Sequence, residues 1–134
     1  MTPLSILIIE DDEISAELLR KIVLHHDPAA SVEWARNGLD ALARVEALRP
    51  DLIFLDYLMP RLDGRDFLLD LRRHDAKKDS FIALVSGFVD PATETAFLGM
   101  GADVVIPKPI DIDRIAELLA RVGRAKEARE AAPR

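Results

Sequence analysis

Five short apolar runs, rich in β-branched residues, recur along the chain at residues 4–9, 31–35, 52–55, 81–85 and 103–106. Each is bounded by polar residues and is continuous rather than alternating in its apolarity, which predicts strands buried on both faces. The intervening segments repeat their apolar residues at helical spacing. In the first, Ile14, Leu18 and Ile22 share one face, with Leu19 and Val23 on its flank. In the second, Leu39, Leu42, Val45 and Leu48 recur after Asn37, a candidate N-cap, and before Pro50, a stop signal. A third is predicted from about Gly64 to His74, carrying Phe67, Leu68 and Leu71. The fourth begins at Asp90-Pro91, where proline suits the first helical position, and ends near Gly99 or Gly101. The fifth has Asp111 as its cap, with Ile112, Ile115, Leu118, Leu119 and Val122 on its inner face.

Strict alternation of strand and helix implies parallel strands, right-handed crossovers and helices on both faces of the sheet. The expected fold class is therefore α/β, a five-stranded, doubly wound parallel sheet in a single domain over residues 1–122. Residues 123–134 are small and charged, and are expected to form a helical extension or the stub of a linker.

Composition narrows the function more than the fold. The chain has 134 residues, 49% of them hydrophobic and 31% charged, enough for one self-sufficient core. A net charge of −6 argues against direct nucleic-acid binding, which normally needs a basic face. The absence of cysteine excludes disulfides and thiolate zinc sites. No apolar stretch approaches the ~18 residues that span a bilayer. Residues 4–9 are too short for a secretory signal and lead straight into acidic residues, so the expected location is cytoplasmic, without membrane association. His25, His26 and His74 lack ligand spacing.

In open α/β sheets ligands bind beyond the carboxyl ends of the strands, so the residues there carry the candidate chemistry. The first strand runs into Glu10-Asp11-Asp12, the third into Asp56, the fourth into Ser86-Gly87 and the fifth into Lys108-Pro109; the second offers nothing comparable. Singly, each is ordinary cap or turn chemistry. Together, the carboxylates would repel one another and raise their pKa values unless a cation joined them. All-oxygen ligands suit Mg²⁺ better than zinc. With a lysine ammonium and a serine hydroxyl beside it, such a set suits an anionic phosphoryl group.

These motifs, with Asp56-Tyr-Leu-Met-Pro60 and Asp63-Gly64 after the third strand, resemble the receiver domains of response regulators over about residues 4–122. The resemblance implies the strand order 2-1-3-4-5. It implies that Asp56 is the phosphoacceptor, phosphorylated by a sensor histidine kinase or a histidine phosphotransfer protein. Asp11 would bind Mg²⁺ directly and Glu10 through water, with the Leu58 backbone carbonyl completing the protein's share of the shell. Lys108 would pair with the phosphoryl group, and the Ser86 hydroxyl would move towards it after transfer. Pro109 matches a proline that usually follows a cis peptide bond. The domain would catalyse its own phosphorylation and slow autodephosphorylation. The switched surface would comprise the fourth helix, fifth strand and fifth helix. It would meet a downstream target protein, a fused output domain or a second copy of the chain.

Two departures or variable positions qualify the likeness. Many receivers carry Tyr or Phe three residues before the lysine, where this chain has Val105. Leu58 and Phe88 flank the site and cannot orient an attacking water, which implies a long-lived aspartyl phosphate. Other classes fit less well. Phosphatases that form an aspartyl phosphate need a second Asp where Leu58 stands, and nucleotide modules need a glycine-rich loop that is missing after the first strand. The alternative within the same fold is an unphosphorylated protein-interaction module.

Overall fold

The computed structural model describes residues 2–56, 64–74, 80–87 and 90–132. Along the chain run β1 (Ser5–Ile9), α1 (Glu13–His26), β2 (Ser31–Ala35), α2 (Gly38–Leu48) and β3 (Leu52–Asp56). They are followed by α3 (Gly64–His74), β4 (Phe81–Ser86), α4 (Pro91–Gly99), β5 (Val104–Pro107) and α5 (Ile112–Ala131). The strands form one parallel sheet in the order β2-β1-β3-β4-β5, as the resemblance implied.

Alternation of side chains along each strand divides the core into two layers. Leu7, Ile9, Ile53, Leu55, Ile82 and Leu84 pack with Val45 of α2, Leu68 and Leu71 of α3 and Phe97 of α4. Ile6, Ile8, Leu52, Phe54 and Val85 pack on the other face with Leu19 and Val23 of α1 and Ile115 and Leu118 of α5. Burial on both faces is why the strand sequences are continuously apolar.

Helix starts are fixed by local hydrogen bonds. Asn37 accepts from the Asp40 amide at 2.8 Å and Asp90 from the Thr93 amide at 2.7 Å. Asp111 accepts from the Asp113 amide at 2.9 Å, and Asp12 from the Ser15 amide at 3.0 Å. Each such cap contributes about 1 kcal/mol.

Helix faces follow the sequence pattern less closely. In α1 the residues against the sheet are Ala16, Leu19 and Val23, whereas Ile14 and Leu18 are 79% and 57% exposed. The small Ala16 lets the helix sit close on the sheet, so the flank of the expected stripe becomes its inner face. In α2, Ala41 and Val45 are buried, Leu42 is partly so, and Leu39 is 83% exposed. Ile112, at the first turn of α5, is likewise exposed, while Ile115, Leu118, Leu119 and Val122 are buried. Strand β5 begins one residue later than expected because the Asp103 carboxylate accepts from the Ile82 amide at 2.8 Å and pairs with Arg72 at 2.7 Å.

Helix α5 continues unbroken through residues 123–131 and is tied to the amino end of the sheet. Lys126 Nζ donates to Asp51 Oδ2 at 2.9 Å and to the Pro3 carbonyl at 2.8 Å, and Asp51 Oδ2 also accepts from the Ser5 amide at 2.8 Å. The Asp51 and Lys126 side chains are only 11% and 16% exposed, and Asp51 Oδ1 also lies 3.6 Å from an Arg129 guanidinium nitrogen. Lys126→Ala is expected to lower stability by about 1 kcal/mol in urea unfolding, the size of one lost hydrogen bond, because Asp51 keeps the Ser5 amide and Arg129 as partners. A change within error would mean that the extension is not part of the folded unit.

Candidate functional site

The sheet order reverses between β1 and β3, the place where an open α/β sheet leaves a crevice at its carboxyl edge. Three acids follow the last apolar residue of β1, and the fold gives them different work. Asp12 is spent as the cap of α1, where the Ser15 hydroxyl and amide hold its carboxyl below the usual range. Asp11 is exposed and Glu10 is buried. Asp56, the last residue of β3, is buried too, and carboxylate oxygens of Glu10, Asp11 and Asp56 lie within 4.8 Å of one another.

The remaining expected residues come to the same place. Lys108, just past β5, brings its Nζ to 3.3 Å from Asp56 Oδ1, and its amide donates to the Ser86 carbonyl at 2.9 Å. The Lys108-Pro109 bond is cis. Ser86 ends β4 and is buried; since Asp56 is in register with Val85, Ser86 lies one step further along the neighbouring strand. Among the described residues, a cavity of about 30 Å³ lies here, lined by Glu10, Asp56 and Lys108 with Phe54 and Val85. That is room for a group about the size of water.

Burial pushes the Glu10 carboxyl up to about 8, helped by its hydrogen bond to Asp56 and the charges of Asp56 and Asp11, while Lys108 opposes the rise. This raised pKa favours a protonated Glu10 carboxyl beside Asp56. The donor set fits Mg²⁺: it is all oxygen, acidic, and short of positive charge.

A pH dependence follows. A divalent cation bound here would displace the Glu10 proton, so apparent Mg²⁺ affinity is expected to rise up to ~10-fold per pH unit towards pH 8 and then level off. Calorimetry in buffers of different ionisation heat would count the proton released; none released would contradict the assignment. The sign for stability is opposite. A folded-state pKa raised from 4.5 to about 8 gives stability that is complete below the unfolded value and lost as pH climbs through the folded one. Without cation the protein should weaken towards pH 8, and Mg²⁺ should reverse the loss.

Leu58, the expected source of a backbone carbonyl, and Phe88 lie outside the described residues, as does the loop at 57–63. Val105 is buried in the core layer of α2, α3 and α4, so the position usually aromatic is filled by packing. One contributor was not read from the sequence. The second strand does reach the site, because the Trp34 indole Nε1 donates to the Glu10 carbonyl at 2.7 Å. The available signal was a lone tryptophan on a short strand, whose N–H needs a partner when it is partly buried.

Among the described residues no helix is long and apolar enough to cross a membrane. The family model for the response regulator receiver domain matches residues 6–120. Response regulator MprA of Mycobacterium sp. (strain KMS) is 38% identical over 121 residues, which are 90% of this chain and 49% of that protein. The chain thus spans about half the length of the curated relatives it matches. The signal receiver domain of the DNA binding response regulator protein merR from Colwellia psychrerythraea 34H superposes with a TM-score of 0.84 at 24% identity, covering 90% of this chain and 98% of that one. Vibrio cholerae chemotaxis protein CheY4 gives 0.79 at 23% identity, covering 90% and 98%. At those identities the structures speak for the fold, and the family match together with the curated relatives settles the rest: the chain belongs to the response regulator receiver domain family of two-component systems.

Proposed function

We propose that Asp56 accepts a phosphoryl group from a phosphohistidine on a sensor histidine kinase or histidine phosphotransfer protein. A carboxylate oxygen of Asp56 attacks phosphorus, the phosphorus–nitrogen bond breaks, and the imidazole leaves with the electron pair and takes a proton. Asp11 and Asp56 would hold Mg²⁺ directly, Glu10 through water, and the Leu58 carbonyl would complete the protein's share. The ion supplies charge neutralisation for the incoming phosphoryl oxygens. Lys108 pairs with one such oxygen and Ser86 donates its hydroxyl to another. The observation that carries this reading is the buried Asp56 at the sheet's switch point, within 3.3 Å of the Lys108 ammonium and clustered with Glu10 and Asp11.

The new contacts to Ser86 and Lys108 would then shift a two-state equilibrium and alter the surface of α4, β5 and α5. There Leu98 is exposed, Met100 partly so, and Phe97 is committed to the core. A target protein, a fused output domain or a second copy would meet that face, in the cytoplasm. In this reading residues 1–122 are the receiver and 123–134 its helical extension.

Intact mass after incubation with Mg²⁺ and acetyl phosphate tests the reaction. Wild type should gain one phosphoryl group only when Mg²⁺ is present, and Asp56→Asn should gain none. A folded, Mg²⁺-binding wild type that gains nothing would favour the unphosphorylated interaction module.

A further inference from the structure

The second strand gives the cluster no charged or hydroxyl group, yet it holds the cluster's first residue on both sides. The Glu10 amide donates to the Ala35 carbonyl at 3.0 Å, and the Trp34 indole donates to the Glu10 carbonyl at 2.7 Å. The last register pair of β1 and β2 is Ile9 with Ala35, so Glu10 stands just beyond the ladder, where a side chain supplies the donor. The Glu10 carbonyl and the Asp11 amide belong to one planar peptide unit. Fixing that plane fixes the Cα positions of both acids, and with them the direction from which their carboxylates approach Asp56.

Trp34 is itself held in place. The Arg36 guanidinium lies over its ring at 4.5 Å from the centroid, and the ring packs against the core layer beneath α1 and α5. Its indole is therefore a fixed donor, and a hydrogen bond this short to a backbone carbonyl fixes direction as well as distance.

We propose that Trp34 is a positioning residue for the acidic pair: its N–H orients the Glu10–Asp11 peptide and so sets how tightly the carboxylate cluster holds a divalent cation. The inference rests on the reading of Glu10, Asp11 and Asp56 as the cation site. A second consequence comes from the same contact. Trp34 is the chain's single tryptophan, so its fluorescence reports on the peptide that cation binding must load.

The single tryptophan also allows a near-isosteric test. Replacing it by β-(3-benzothienyl)alanine keeps the bicycle and removes the N–H, whereas 4-fluorotryptophan keeps both. Mg²⁺ binding is measured by calorimetry on each folded protein, with Trp34→Phe as a genetically encoded second variant. The form without N–H should bind Mg²⁺ about three- to tenfold more weakly, as expected when a group that orients a metal ligand is lost. Trp34→Phe should do the same, and 4-fluorotryptophan should restore wild-type affinity. The Asp11 amide NMR signal should move with loss of the N–H even without Mg²⁺. Equal affinity in wild type and in both N–H-deficient forms would overturn the positioning role while leaving the cation site standing. No binding by wild type would instead remove the cation site, and this role with it.

Discussion

Replacing Lys108 by alanine is expected to slow phosphoryl uptake by Asp56 about 10²- to 10³-fold, the usual cost of deleting one preorganised charge-stabilising donor. The ammonium stands 3.3 Å from Asp56 Oδ1, next to the oxygens that an incoming phosphoryl group would present. Among the described residues it is also the one group that lowers the Glu10 pKa. Without it the carboxylates should hold their proton to higher pH, so part of the defect should recover as pH and Mg²⁺ are raised. The remainder should not. Lys108→Arg keeps the charge but exchanges a point donor for a wider planar fork, so it should restore only part of the rate. Single-turnover phosphorylation from acetyl phosphate at saturating Mg²⁺ separates these effects. A loss below about threefold at every pH would remove Lys108 from the stabilising role assigned to it.

The second large effect concerns the floor of the site. Phe54→Ala is expected to destabilise the domain by about 3–5 kcal/mol, the range for emptying a buried aromatic position. Phe54 lies on the central strand β3 two residues before Asp56, is 1% exposed, and lines the cavity beside the clustered carboxylates. For a domain of this size the loss corresponds to a melting temperature lower by about 10–20 °C. Ile14→Ala is the matched control, since an exposed side chain of similar apolarity should change stability by no more than about 0.5 kcal/mol. Equal effects at the two positions in urea unfolding would contradict the placement of Ile14 on the outer face of α1 and of Phe54 in the core.

What was legible in the sequence divides by range. Caps at Asn37, Asp90 and Asp111 are decided within three residues and could be read directly. The strands could be read because burial on both faces leaves an uninterrupted apolar signature. Strand order could not be obtained from periodicity, since alternating strands and helices fix only that the sheet is parallel; order came with the motifs. The α1 face was misjudged because two apolar stripes compete there. Closeness of approach at Ala16, a tertiary property, decided between them. Trp34 was missed for a related reason: its partner, Glu10, is 24 residues away, and nothing local marks the contact. The candidate site itself was legible because its residues stand at strand ends, which this topology gathers at one edge whatever the details of helix packing.

The most direct measurement locates the phosphoryl group. An aspartyl phosphate is reduced by borohydride to homoserine, so treating the Mg²⁺- and acetyl-phosphate-loaded protein and sequencing its peptides by mass identifies the acceptor. Homoserine at position 56, and at no other carboxylate, is the expected result. Homoserine at Asp11 or Asp12, or 2-amino-5-hydroxypentanoic acid at Glu10, in place of homoserine at position 56, or phosphate recovered on a serine or histidine, would contradict the assignment of Asp56 as the nucleophile.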